Sequence, residues 1–572
     1  MKKNIILFLF IISLSGFSQE YRSPFDFPLF LSGTFGELRN DHFHTGIDIK
    51  TNEIEGHKLY AIEKGYISRI KVSTWGYGKV LYINHPNGHT SVYAHMLRFN
   101  DRIEALVQKK QYKKESFEIE IYLKKDQIEI KKGEIIGLAG NTGGSGGPHL
   151  HFEIRDTKTE KPLNPLNYGF KVTDNISPVI SAIKIYPQDN AKINNLSKAF
   201  KQNSTKNNSK NLKQGYDEYS INPQDSHITI SGDVSFGIST FDRQNGAPNN
   251  KNGVYSIKLF LNNKIIHHFE VDKLDFSKNR FINAHIDYEE YKETNKRYNR
   301  CHKLPYNELS NYDSIINNGI VSFTDSNTHN IRFEVRDIEG NLSILKLKIK
   351  SAPQQDSPKR DLDKSNIFKY DQENILIKDN FEMYMERYSL YQDEPIIYSI
   401  LPKQNNTISR IHSIMKESIP VQKYYVLSIK EDIPKKIKEK VYIAKLLKNK
   451  TFQYKGKSWD NEFLSTKTRD FGKYCIVADS IKPTISTFRI LKKENIYGGN
   501  GIISCKINDN ESGISYYRGE IDGKWILMEY DYKINSLTYH VPRDFKSGKH
   551  NISIMVRDKL NNESVYSKEF IY

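Results

Sequence analysis

The sequence predicts a mainly β chain built from several domains. Two observations carry that expectation. Short runs of alternating polar and apolar residues recur along most of the 572 residues, as half-buried strands do, whereas helical periodicity is weak. Two strings also return far apart. Asp174-Asn175-Ile176-Ser177-Pro178-Val179-Ile180 and Asp479-Ser480-Ile481-Lys482-Pro483-Thr484-Ile485 share D-x-I-x-P-x-I, and Val335-Arg336-Asp337 with Asn341 and Val556-Arg557-Asp558 with Asn562 share V-R-D-x-x-x-N. Each pair brackets one unit of an internal repeat. The length allows about three to five domains of ordinary size.

The chain opens Met1-Lys2-Lys3-Asn4, runs apolar from Ile5 to Ile12, and continues through Ser13, Ser15, Gly16, Ser18 and Gln19. That pattern is a secretory signal peptide over 1–18, too short to span a bilayer. No cysteine lies near the cleavage site, which argues against a lipid anchor. No later run is long and apolar enough for a membrane helix, so an exported protein, periplasmic or extracellular, is expected. A first domain covers 24–170. Its last strand is the alternating His149-Leu150-His151-Phe152-Glu153-Ile154, and Pro162-Leu163-Asn164-Pro165-Leu166 closes it. A second unit, 171–352, holds strands such as His227–Ser231 and Ser256–Leu261, the latter followed by the turn pair Asn262-Asn263. Its polar stretch Asn195 to Gln214 reads as a flexible loop. Residues 353–365, rich in Pro, Asp, Lys and Gln, read as a linker. A β-rich unit over 366–478, with runs such as Pro395–Ile400, carries no chemical motif. The last unit is 479–572. Both bracketed units look like immunoglobulin-like β-sandwiches, with the Pro entering a first strand and the Arg-Asp close to the last. The Val-Arg-Asp strings read as structural turns, with a carbohydrate or calcium site as the alternative.

Lysine and arginine total 85 against 68 acidic residues, a formal net charge of +17, of which Lys2 and Lys3 contribute two. The charge is spread along the chain without a basic cluster joined to a recognition motif, which argues against nucleic acid. With an export signal, it points to anionic cell-envelope polymers or to plain compositional drift toward Lys and Asn. Three cysteines, Cys301, Cys475 and Cys505, allow one bridge, nearest in sequence between Cys475 and Cys505, or three buried free thiols.

The chemistry concentrates in the first domain. His44-Thr45-Gly46-Ile47-Asp48, Tyr93-Ala94-His95-Met96 and His149-Leu150-His151 supply imidazoles and a carboxylate, the donors a catalytic zinc needs with one position left open. On a strand, His149 and His151 share a face about 7 Å apart. One of them can ligate a metal while the other faces what the metal activates. His44 and Asp48 lie four apart. Thr45, Gly46 and Ile47 are poor helix formers, and a straight strand would hold the two about 13 Å apart. The chain must therefore turn or bulge between them, which Gly46 permits.

These strings closely resemble the lysostaphin-type (LytM-like) zinc metallopeptidases, murein endopeptidases with a duplicated-hybrid-motif fold. The resemblance extends over Gly33–Arg39, His42–Ile49, Ala61–Ile67, Gly76–Val80, Asn84–Gly88, Tyr93–Met96 and Gly137–Glu153. It implies an antiparallel β domain in which His44, Asp48 and His151 ligate Zn2+. His95 and His149 then act on water and on the developing oxyanion, with peptidoglycan as substrate. Residues 101–130 are an insertion relative to that pattern. His42, of the same strand parity as His44, is expected to be a solvent-facing or hydrogen-bonding histidine. The β-rich remainder is expected to give location, specificity or envelope-protein contacts, leaving the chemistry intact in a chain ending near Tyr168.

Overall fold

The computed structural model describes residues 21–207, 215–221, 228–353 and 366–572. The expected signal peptide and all but the first residue of the expected linker lie outside the described residues. Among those described, the architecture is overwhelmingly β, with an N-terminal antiparallel domain and further layered β units.

The first domain is built on one antiparallel sheet. Its strands run in spatial order Leu31–Gly33, Ile47–Lys50, His149–Asp156, His89–Ala94, Lys79–Asn84, Gly65–Val72 and Ile119–Tyr122. A second, three-stranded sheet joins Lys58–Tyr60, Ile135–Ala139 and Met96–Phe99. Alternation along His149–Asp156 sends Leu150, Phe152 and Ile154 into a fully buried core with Ile47, Ile49 and Tyr93, and leaves His149, His151 and Glu153 on the other face. The 101–130 insertion forms the helix Asp101–Lys114, capped by the Asn100 side chain accepting from Ile103 N at 3.0 Å, and two short strands that join the edge of the main sheet.

The second unit is a layered β structure with mixed strand pairing. Its 17-residue strand Ile228–Gln244 pairs with several partners, and Leu342–Ser351 runs parallel to both Tyr216–Ile221 and that long strand. Short helices Ile282–His285 and Tyr288–Thr294 interrupt it. Phe200–Lys206, within the stretch read as a loop, is a strand paired with Val179–Pro187. Its polar side chains alternate between half-buried and exposed, so the edge of the sheet is held by backbone pairing and little apolar burial. Ser256–Leu261 and Lys264–Glu270 form the expected hairpin, with Asn262 and Asn263 both at positive φ, as a two-residue turn of this kind requires. The run Pro395–Ile400 is broken into Glu394–Pro395 and Tyr398–Leu401.

Residues 367–478 form two five-stranded antiparallel sheets plus a short pair, and 484–571 form two four-stranded ones packed over a shared core that includes Ile503, Cys505, Ile552 and Val556. All three cysteines are buried free thiols. No helix among the described residues is long and apolar enough to cross a membrane. The first domain's core does not stop at residue 170: Phe269, Val271, Phe281, Ile282 and Ile286 of the second unit belong to the same apolar cluster as Phe43 and Ile47.

Candidate metal centre

Register brings the first two donors together. Asp48 and His151 are directly paired neighbours on adjacent antiparallel strands, and Ala94 flanks His151 on the other side. His44 reaches the same point from the loop before Ile47–Lys50. Gly46 makes that approach possible, because a Cβ there would sit 2.4 Å from the Phe152 carbonyl oxygen. The bend expected between His44 and Asp48 is thus present, and its cause is close backbone contact.

His44 Nε2, Asp48 Oδ1 and His151 Nδ1 lie 2.9–3.0 Å from one another, all buried. Zinc takes such donors at about 2.0–2.2 Å, which sets tetrahedral ligand atoms about 3.3 Å apart. One proton of each imidazole is accounted for elsewhere. His44 donates from Nδ1 to the Thr34 carbonyl at 2.8 Å, and His151 donates from Nε2 to Glu153 Oε1 at 2.9 Å. His44 therefore turns a bare Nε2 toward Asp48, and His151 offers Nδ1 to the same point once it gives up the proton it shares with Asp48, as a metal-ligating histidine must. Two imidazole nitrogens and a carboxylate converging on one buried point call for a positive charge, a proton on His151 or a metal ion in its place. Burial works against charge on His151, but the hydrogen bonds to Asp48 and Glu153 outweigh it and push the imidazole up to about 9. Burial likewise works to raise Asp48, but the imidazoles of His44, His149 and His151 hold it well below the usual carboxylate range. The donor set fits zinc: His44, Asp48 and His151 form a cluster able to coordinate a metal ion.

Two further imidazoles complete the site. His95 follows the strand His89–Ala94 with φ +59°, its N–H bonded to the Tyr77 carbonyl. It donates from Nδ1 to the Thr142 carbonyl at 2.8 Å. Burial first, then the neighbouring His151 and His149, bring its pKa down to about 3, so it is neutral near pH 7. His149 donates from Nδ1 to the Gly147 carbonyl at 2.8 Å, with Ser145 Oγ at 3.1 Å, and its Nε2 lies 3.5 Å from Asp48 Oδ1. The rings of His95 and His149 are 4.9 Å apart. With Nδ1 donating, neutral His95 keeps Nε2 free of a proton. His42 is placed apart from the cluster, exposed and bonded to Asp41 at 2.8 Å.

Several supporting residues go unread in the sequence. Glu153 is fully buried and also accepts from Thr45 Oγ1 at 2.7 Å, Arg155 Nε at 2.6 Å and the Tyr77 hydroxyl. Arg39 holds Asp48 Oδ2 at 2.8 Å, leaving Oδ1 for the metal. Glu153 shares the strand parity of His151, a signal that alternation alone would have offered. The glycine run divides in two: Gly143, at φ +72°, packs on the backbone of Gly76 and Gly78, while Gly146 and Gly147 border open space.

Residues 42–114 and 117–165 match the model of peptidase family M23, and residues 365–479 match that of the Zu5-like domain. The DD-carboxypeptidase/endopeptidase Mpg of Neisseria meningitidis serogroup B is 32% identical over 130 residues, 23% of this chain and 24% of that protein. The murein hydrolase activator NlpD of Escherichia coli is 31% identical over 135 residues, 24% of this chain and 28% of the other. The match thus spans about a quarter of the length of these relatives. Among solved structures, a mutant catalytic domain of the prophage-encoded M23 protein EnpA from Enterococcus faecalis is 26% identical, covering 26% of this chain and 91% of its own, with a TM-score of 0.18. The catalytic domain of lysostaphin from Staphylococcus simulans is 23% identical over 25% of this chain and 90% of its own, also with a TM-score of 0.18.

Proposed function

From the premise that this chain contains a catalytic domain of peptidase family M23, a zinc metallopeptidase domain with a His/Asp/His site, we propose that the protein is exported and hydrolyses the cross-linking peptides of bacterial peptidoglycan. The observation that carries this reading is the pairing of a three-donor metal cluster with two further imidazoles, each held through Nδ1 by a backbone carbonyl so that Nε2 is left for the site. His44, Asp48 and His151 hold the ion, which when bound polarises a carbonyl and lowers the pKa of water. His149, whose Nε2 approaches the ligand carboxylate, takes the water proton as general base. His95, through its Nε2, accepts from the water and orients it, or receives the proton that His149 would otherwise take and then donates it to the tetrahedral oxyanion, so that the two roles can be exchanged. Gly146 and Gly147 leave room beside His149 for an extended peptide.

A second reading follows from the match to murein hydrolase activators: a wall-binding protein that stimulates another enzyme. The complete donor set and both extra imidazoles favour hydrolysis by this chain itself. Incubating purified sacculi with the zinc-loaded protein alone, then identifying released muropeptides by mass spectrometry, separates the two. Hydrolysis predicts loss of cross-linked species with new peptide ends. Unchanged muropeptides with the protein alone, and cleavage only when an amidase is added, would select the activator reading.

A further inference from the structure

The two strings that bracket the repeats end on the same constellation. In the second unit Asp174, Asp242 and Asp337 converge, and in the last unit Asp479, Asp509 and Asp558 do, each group offering one oxygen per carboxylate within 4.8 Å of the others. Asp174 and Asp479 open the D-x-I-x-P-x-I strings, and Asp337 and Asp558 close the V-R-D strings. The third member of each also occupies one register position. Val179, which follows Pro178, pairs with Phe241, the residue before Asp242; Thr484, which follows Pro483, pairs with Asn508, the residue before Asp509.

Part of the scaffolding is duplicated. Asn341 donates its amide to Asp337 Oδ2 at 2.7 Å and to the Asp174 carbonyl at 3.3 Å, and Asn562 donates to Asp558 Oδ2 at 2.7 Å and to the Asp479 carbonyl at 3.1 Å. The Ile176 and Ile481 N–H groups each bond Oδ1 of the aspartate two residues earlier, both at 3.0 Å. These bonds explain a turn. In the last unit the third carboxylate has donors of its own, Asp509 Oδ1 accepting from Gly513 N at 2.6 Å and Glu511 N at 3.2 Å, but nothing of that kind accounts for Asp242 in the second unit. Among the described residues no Lys, Arg or His lies within ion-pair distance of any of the six carboxylates. Asp242 is 2% exposed, yet its Oδ1 has no hydrogen-bond partner, and Asp174 Oδ2 is in the same condition. Buried carboxylate oxygens without a donor are costly, and three carboxylates at one point repel.

We propose that each of these two clusters binds one calcium ion. All-oxygen donors select a hard cation. Three carboxylates held on rigid loops at a sheet end suit the larger, more permissive coordination sphere of calcium, whereas magnesium keeps most of its waters and seldom occupies a protein-built cage. Each ion fastens the entry to a unit's first strand to the turn before its last, at the joint where the unit meets the preceding chain. These sites are separate from the His44, Asp48 and His151 centre and stand whether or not the peptidase reading does.

The test is equilibrium dialysis of the zinc-saturated, calcium-depleted full chain against radioactive calcium up to about 1 mM, the range of weak extracellular sites. Two equivalents are expected in the wild type, one each in Asp242→Asn and Asp509→Asn, and none in the double variant, with zinc content unchanged throughout. Thermal unfolding should shift upward with calcium in the wild type and not in the double variant. Wild-type binding of anything other than two equivalents overturns the paired assignment even if a variant fails to fold. Variants that keep two equivalents overturn the residues named, and displacement of calcium by an equal concentration of magnesium overturns the choice of ion.

Discussion

The proton on His151 Nε2 is committed to Glu153, so the nitrogen facing Asp48 is available to a metal. Glu153→Gln keeps an acceptor of the same shape but removes the charge. It should weaken zinc binding by about 10- to 100-fold, read by competition with a chromogenic chelator. The same geometry sets a pH dependence for the metal-free protein. A histidine raised on folding from 6.5 to about 9 contributes stability that is complete below 6.5 and is lost as pH rises through about 9. The apo protein should therefore melt at progressively lower temperature between pH 6.5 and 9.5, and zinc binding near pH 7 should release about one proton, measured calorimetrically in buffers of different ionisation enthalpy. A flat apo profile across that window would contradict the charge demand assigned to the cluster. At this scale the metal cluster of His44, Asp48 and His151 was legible, because imidazoles and a carboxylate in three short strings have few other uses. Thr34, Arg39, Tyr77 and Glu153 were not. Their roles depend on which atoms meet across loops and strands, and a carbonyl such as that of Thr34 carries no mark in the side-chain sequence.

Strand pairing is what turns spacing into a site. His149 and His151 followed from alternation, and the bend between His44 and Asp48 followed from the distance a straight strand would impose. The helix Asp101–Lys114 was missed. Its apolar stripe is thin, with Ile103 and Val107 its buried apolar residues, although Asn100 before Asp101 and Lys113-Lys114 at the end are ordinary start and stop signals. The segment carrying His44 is held by an element from another unit. Asn279 accepts from Phe43 N at 2.7 Å and donates to the Phe43 carbonyl at 3.1 Å, all buried, pairing with the backbone as a neighbouring strand would. Asn279→Ala leaves both groups unpaired and should destabilise the domain by about 1–3 kcal/mol, with zinc affinity falling because His44 is the next residue. A melting temperature and zinc affinity equal to wild type would show that this brace is dispensable.

The first domain is enclosed by the rest of the molecule. Its apolar core is completed by residues from Phe269 to Ile286 together with Leu309 and Tyr391, and Thr34, which orients His44, is tied to Gly253 through its hydroxyl at 2.9 and 3.2 Å. The last unit closes on the other flank: Lys79 bonds Glu529 at 3.0 Å and the Tyr497 hydroxyl at 2.7 Å, Lys533 reaches the Asn141 carbonyl, and Trp75 lies against Tyr532 with ring centroids 3.7 Å apart. A chain ending at Tyr168 therefore exposes Phe43 and its neighbours, and it is expected to lose solubility and zinc affinity, contrary to the independence anticipated from sequence. Removal of 479–572 alone keeps every buried residue of that core and takes away only Leu527, packed on its edge. It should retain zinc while changing the rate on large wall fragments more than on a small cross-linked peptide, since Lys79 and Asn141 border the His95 and His149 side of the site. Equal rate changes on both substrates would remove the last unit from the groove. The repeat brackets were readable because their Asp, Pro and Asn residues sit at fixed turn positions. The parallel pairings of the second unit and the shared core were hidden, because long-range partners leave no local period.

The claim at the centre of this account is that three residues hold zinc and two others perform hydrolysis. Zinc content and the rate of peptide release from sacculi, measured together on His44→Ala, Asp48→Ala, His151→Ala, His95→Ala and His149→Ala, test it most directly. The first three should lose both zinc and activity, while the last two should keep about one equivalent of zinc and lose activity by roughly a hundredfold or more. Full zinc in His44→Ala and His151→Ala, or full activity in His149→Ala, would contradict it.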